Sequence, residues 1–166
     1  MAATFAACGS IEINDKPPPG QGGREFRGLS TGLLVYPDNG HIDFGRTQAS
    51  AIASASKVIG AGPANVAPNF ECGAGPLQIA TWDQGMTLLF QNGDFVGWVA
   101  TSRGFATGTG IAIGQTRQQI EAATLTVRET TLGWEFDAGG VFGLFEQPDA
   151  NAKVTTLWSG TTCFFR

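Results

Sequence analysis

The stretch FQNGDFVG, Phe90 to Gly97, decides how this chain is read. Asn92-Gly93 stands between two apolar runs, MTLLF (Met86 to Phe90) and DFVGWVA (Asp94 to Ala100). A two-residue type I′ hairpin needs positive φ at both central positions, and Asn-Gly adopts that geometry at the lowest steric cost. An echo follows at FDAGGVFG, Phe136 to Gly143, in the same pattern Phe-x-x-Gly-x-apolar-apolar-Gly. There Ala138-Gly139-Gly140 forms the turn between LGWEF and VFGLFE. The two stretches predict antiparallel meanders. The first takes Leu77–Trp82, Met86–Phe90 and Asp94–Ala100; the second takes Leu125–Glu129, Gly133–Phe136 and Val141–Phe145. Val154–Trp158 follows after the Pro148-Asp149 turn.

A helix start precedes each meander. IDFGRTQASAIASASKVIG (Ile42 to Gly60) and IAIGQTRQQIEAATL (Ile111 to Leu125) both end a short apolar strand at a Gly, place Thr two residues later, and continue as a helix-forming run. Thr116 and Gln119 fit a capping box, in which hydroxyl and amide each satisfy an orphan backbone N–H. Thr47 with Ser50 is a weaker version of the same start. Ile113, Ile120 and Leu125 stand apolar among polar neighbours, the mark of a short amphipathic helix. The expectation is an α+β chain of two tandem helix-plus-antiparallel-meander repeats, forming one continuous sheet with short helices on one face. Residues 1–27 read as a signal remnant and flexible tether; residues 28–166 read as one domain, with repeats at about 28–104 and 105–166.

The duplicated Gly-x-Thr-x-x-x-apolar helix start followed by meanders resembles the beta-lactamase-inhibitor-protein fold. Small outer-membrane assembly lipoproteins use a single copy of the same unit. The resemblance spans Gly28 to Arg166 and implies binding to another macromolecule rather than catalysis. Ala51 departs from it, standing where the position matching Ile120 calls for a large apolar residue. No residue of that family's target-binding surface carries over.

The bulk composition narrows the partner class. A net charge of −4, with only 14% of the 166 residues charged, argues against the basic stripe of a nucleic-acid binder and against a polybasic membrane patch. No run approaches the ~18 apolar residues of a membrane span.

Three cysteines speak to compartment. Cys8 lies in TFAACGS, which resembles the end of a bacterial lipoprotein signal, and IEINDKPPPGQGGREFR after it has the polar, Pro- and Gly-rich make-up of a tether. Only seven residues precede Cys8 and none is basic, so the start lies upstream of Met1 or Cys8 is a stray thiol on a polar N-terminus. With Cys8 as the lipidation site, Cys72 and Cys163 remain as an even pair, and a disulfide is their natural role in an oxidising envelope compartment. It would close a loop of about 90 residues and contribute about 4–5 kcal/mol in the chain-entropy treatment. The alternative is two buried, reduced thiols.

Four constellations have residue types that could carry chemistry. The stretch KVIGAGPANVAP has the letters of a pyrophosphate cradle, Gly60 and Gly62 included, but Asn65 holds the third Gly position. Pro68 and the absence of helical period after Ala64 remove the helix N-terminus such a cradle needs. Asp83 falls about 20 residues on, in a turn. The bland reading is a Gly60 helix C-cap and a Gly/Pro loop leading to Cys72. His41 and Cys72 form a conceivable nucleophile–base pair, against an exposed turn histidine. Glu135 and Asp137 share a strand face, as an acid–base pair or a solvated face opposite Phe136. Trp82, Trp98, Trp134 and Trp158 all fall on strands, where they fill the core or form an exposed protein-binding face.

The functional expectation is a non-catalytic bacterial envelope (lipo)protein, periplasmic and membrane-anchored only through lipid at Cys8. It would bind a protein or other envelope component through its sheet face, with those four tryptophans as the surface and no cofactor or metal. The alternative is a small NAD(P)- or flavin-dependent oxidoreductase, similar to a semialdehyde dehydrogenase, using the Gly60–Gly62 loop.

Overall fold

Asn92 and Gly93 turn the chain with φ of 53° and 89°. The hairpin they close joins β6 (Met86–Gln91) to β7 (Asp94–Ala100). A Cβ at Gly93 would meet no atom within 4 Å, so a side chain there is opposed by the backbone alone. Gly93→Ala is therefore expected to cost about 1 kcal/mol, read as a lowered urea midpoint with unchanged slope. An unchanged midpoint would remove positive φ as the reason for glycine.

The computed structural model describes residues 23–120 and 125–164. Hairpin β6–β7 lies inside an eight-stranded antiparallel sheet, with β4 (Asn65–Asn69) and β5 (Leu77–Trp82) on one side. On the other side come β12 (Val154–Gly160), β11 (Phe142–Phe145), β10 (Gly133–Asp137) and β9 (Thr126–Thr130), in that order. A second sheet has the order β3-β2-β1-β8, from β1 (Glu25–Leu29), β2 (Gly32–Tyr36), β3 (Gly40–Asp43) and β8 (Ala106–Thr107). Strand β8 runs parallel to β1, and the other pairings are antiparallel.

The tandem helix-plus-meander architecture is overturned, along with its single continuous sheet and helix-covered face. Residues 25–43 build a separate sheet because β1 to β3 turn their alternate residues Phe26, Leu33 and Ile42 inward, leaving them 7, 0 and 1% exposed. That sheet, not a pair of helices, caps the large one: the Trp98 indole N–H on β7 donates to the Leu29 carbonyl at 3.1 Å. Gly28 permits the approach, since a Cβ there would lie 2.4 Å from the Trp98 ring. Helix α1 (Gln48–Ile59) packs against β1, β3 and β7, at the seam between the sheets. Its buried residues are Ala51, Ala55 and Val58, too small to cover eight strands. Helix α2 (Arg117–Ile120) is one turn among the described residues.

The helix starts differ as well. Thr116 makes the reciprocal capping pair, accepting from Gln119 N–H at 3.3 Å while its own N–H donates to Gln119 Oε1 at 2.8 Å. Thr47, at the N-cap of α1, makes no side-chain capping bond.

A bulge rephases β7. Phe90 pairs with Phe95 and Leu89 with Gly97, so Val96 is the extra residue. Strict alternation would put Phe95 and Trp98 on opposite faces; the bulge sends both into the main core, each 0% exposed. Val96 and Val99 join a smaller cluster on the outer face with Leu77, Leu89 and Cys72.

Candidate functional site

The outer cluster is closed by the chain's end. Thr161 N–H donates to the Val96 carbonyl at 2.8 Å, and a disulfide joins Cys163 to Cys72, with Cα atoms 4.7 Å apart. The Asn69 side-chain amide donates to Cys163 Sγ at 3.4 Å, which ties the bond to the last residue of β4. Cys8 lies outside the described residues.

Beside the disulfide, the edge strand β4 is not the loop expected from its Gly/Pro letters. Pro68 sits in it because an edge strand need not donate every N–H to a neighbour, and proline in a strand pattern is itself an edge signal. On the outer face Asn65, Ala67 and Asn69 recur every second residue, opposite Thr81, Ile79 and Leu77 of β5. Together with Pro68, Phe70 and Glu71 they line a groove of about 450 Å³. Phe70 is 73% exposed, the most exposed large hydrophobic among the described residues, and Val66 on the same edge is 44% exposed. The Asn69 Oδ1 accepts from the Glu71 N–H at 2.9 Å, which sets the bend that carries Phe70 outward. The groove offers an apolar floor, one aromatic wall, the Asn65 amide and one carboxylate.

The tryptophans do not form the expected face. Trp82 and Trp98 sit in the main core and Trp158 under the outer surface, at 1, 0 and 1% exposed; Trp134 packs part-buried against the main core. Each of the first two satisfies its indole N–H inside, Trp82 on the Ala61 carbonyl at 3.0 Å and Trp98 on Leu29. Trp158 stacks on Phe142 and meets Phe164 edge-on, at 5.9 and 5.0 Å between centroids.

The remaining constellations are placed apart from any cradle or catalytic pair. Gly60 ends α1 in the left-handed region, its N–H on the Ser56 carbonyl, so a helix precedes the Gly60–Gly62 loop and strand β4 follows it. Among the described residues a strand rather than a helix follows that loop, so no helix N-terminus stands there to hold a pyrophosphate. His41 stands exposed on β3 of the small sheet, while Cys72 is held in the disulfide beside the large one. Glu135 is 0% exposed rather than on a solvated face, because the β9–β10 register sets Arg128 opposite it, Nη2 3.3 Å from Oε1. Asp137 is exposed and accepts the Gly140 N–H at 2.9 Å, shaping the turn. Among the described residues, no group of three or more His, Cys, Asp or Glu could hold a metal.

The fold has a solved counterpart. The chain is similar to the crystal structure of the uncharacterized protein YfeY from Escherichia coli, with 13% identity and a TM-score of 0.52. The match covers 81% of this chain and 97% of that one. At this identity the likeness shows the fold alone. No family model and no curated protein matches the chain.

Proposed function

We propose that this chain is a non-catalytic bacterial envelope protein that binds a partner protein at the β4 edge groove, taking an apolar side chain from an extended segment of that partner. The observation that carries this reading is Phe70, 73% exposed beside a groove floored by Ala67 and Ile79. A large aromatic in water gains nothing by its exposure, and aromatic anchors dominate protein interfaces. The i, i+2, i+4 spacing of Asn65, Ala67 and Asn69 matches the side-chain repeat of an extended peptide. Pro68 withholds one backbone donor, so grip comes from the side-chain groove more than from full strand addition. The disulfide supports an oxidising compartment, and the TFAACGS motif at Cys8 supports lipid anchoring there.

A benzophenone amino acid at position 70, expressed in the envelope, tests this. A discrete protein adduct should form from position 70, not from the distant exposed position Thr109, and should vanish when Ala67→Asp charges the groove floor. In the purified complex, Phe70→Ala should weaken binding by about 2 kcal/mol, roughly 30-fold. Equal adducts from both positions, or an adduct indifferent to Ala67→Asp, would refute the groove.

A further inference from the structure

A second groove, lined by no residue of the β4 edge, lies where α1 faces the β2–β3 hairpin. It encloses about 380 Å³, and Arg24, His41, Arg46 and Lys57 line it. Three of the chain's ten Lys and Arg thus gather in one groove, in a protein of net charge −4. Beneath them Val35, Ile42 and Val58 supply apolar floor, the last two 1 and 6% exposed.

The cations are unequally matched by acids. Arg24 is held by Asp38 at 2.5 Å, and His41 Nδ1 is 3.7 Å from Asp43. Arg46 pairs with no carboxylate among the described residues. Its Nη1 donates instead to the His41 carbonyl and to Ser54 Oγ, both at 3.3 Å, which fixes the guanidinium between hairpin and helix. Lys57 follows Ser54 by three residues on the same helix face and forms no ion pair among the described residues. Two cations without a carboxylate partner among the described residues line one groove, one of them already oriented, and an anion there would neutralise both. A fork of N–H donors beside a mobile ammonium is the donor set that oxyanions of phosphorus take.

We propose that this groove binds a phosphate group, held by Arg46 and Lys57, with Arg24 as a third cation and the Val35–Ile42–Val58 floor receiving the apolar part of the molecule that bears it. A soluble phosphoester and a lipid headgroup share this chemistry.

Inorganic phosphate is the first probe, titrated into the ¹⁵N-labelled full chain against chloride at matched ionic strength. Backbone amides of residues 40–46 and 54–58 should shift saturably with phosphate alone. The Arg46→Gln, Lys57→Gln double variant should raise the dissociation constant by about tenfold or more. Both side chains are exposed, so the variant's spectrum should otherwise keep the wild-type dispersion. Arg46→Lys, which keeps the charge and loses the fork, should fall between. Vesicles of phosphatidylglycerol in phosphatidylcholine separate the two sources. Sedimentation of the wild type but not of the double variant assigns a headgroup, whereas saturable phosphate shifts without sedimentation assign a soluble phosphoester. Shifts no larger than those with chloride, or unaltered in the double variant, overturn the site.

Discussion

Trp98→Ala is expected to cost about 3–5 kcal/mol, much of the stability of a domain this size. The indole is 0% exposed, lies against Phe105 at 5.2 Å between centroids, and fills the space over Gly28 that joins the two sheets. Truncation leaves a cavity at the layer interface and strips the Leu29 carbonyl of its 3.1 Å donor, adding the penalty of an unpaired polar group. Urea unfolding with an unchanged slope is the measurement. Trp98→Phe keeps most of the volume and loses the bond, so it should fall well short of the alanine cost. Trp134→Ala, at a part-buried site, should cost less than Trp98→Ala. A loss under about 1 kcal/mol at Trp98 would mean that the small sheet is not packed on the large one.

Breaking the disulfide should have a comparable effect through the unfolded chain. Cys72 and Cys163 are 91 residues apart, so replacing both by serine, or reducing them, frees a long loop and should cost about 4–5 kcal/mol. The folded state loses something too, because the tail beyond Gly160 covers Leu77 and Leu89, each 2% exposed. Cys72 itself is 6% exposed in that cluster. Reductant should lower the urea midpoint of the wild type and leave the double-serine variant unmoved. A wild-type midpoint indifferent to reductant would show that the bond contributes nothing to folding. The same bond holds Asn69 at the end of β4, so its loss should also weaken partner binding at Phe70, which links the stability test to the groove.

Local chemistry was the legible part. Asn92-Gly93 imposes positive φ whatever surrounds it, and Thr116 with Gln119 satisfies two N–H groups within four residues. The candidate site was mostly illegible. Phe70 reads as one more aromatic beside a cysteine, and its exposure depends on β4 having no neighbour on one side. Pro68 was the available signal, since proline in a short apolar run marks an edge strand rather than a loop. The tryptophans misled in the opposite direction: a strand residue's face is set by register, and the Val96 bulge shifts that register by one residue.

By itself, then, the sequence determined the turns and the capping pair at Thr116, because each rests on neighbours along the chain. The Cys72–Cys163 bond bears out the pairing expected from the cysteine count, whereas only the tertiary structure decided that residues 25–43 and 106–107 form a separate sheet. It also decided that Arg46 and Lys57 stand unmatched in one groove while Phe70 stands free at another. Those outcomes rest on contacts between residues distant in sequence, where burial and strand register choose among patterns that are locally equivalent.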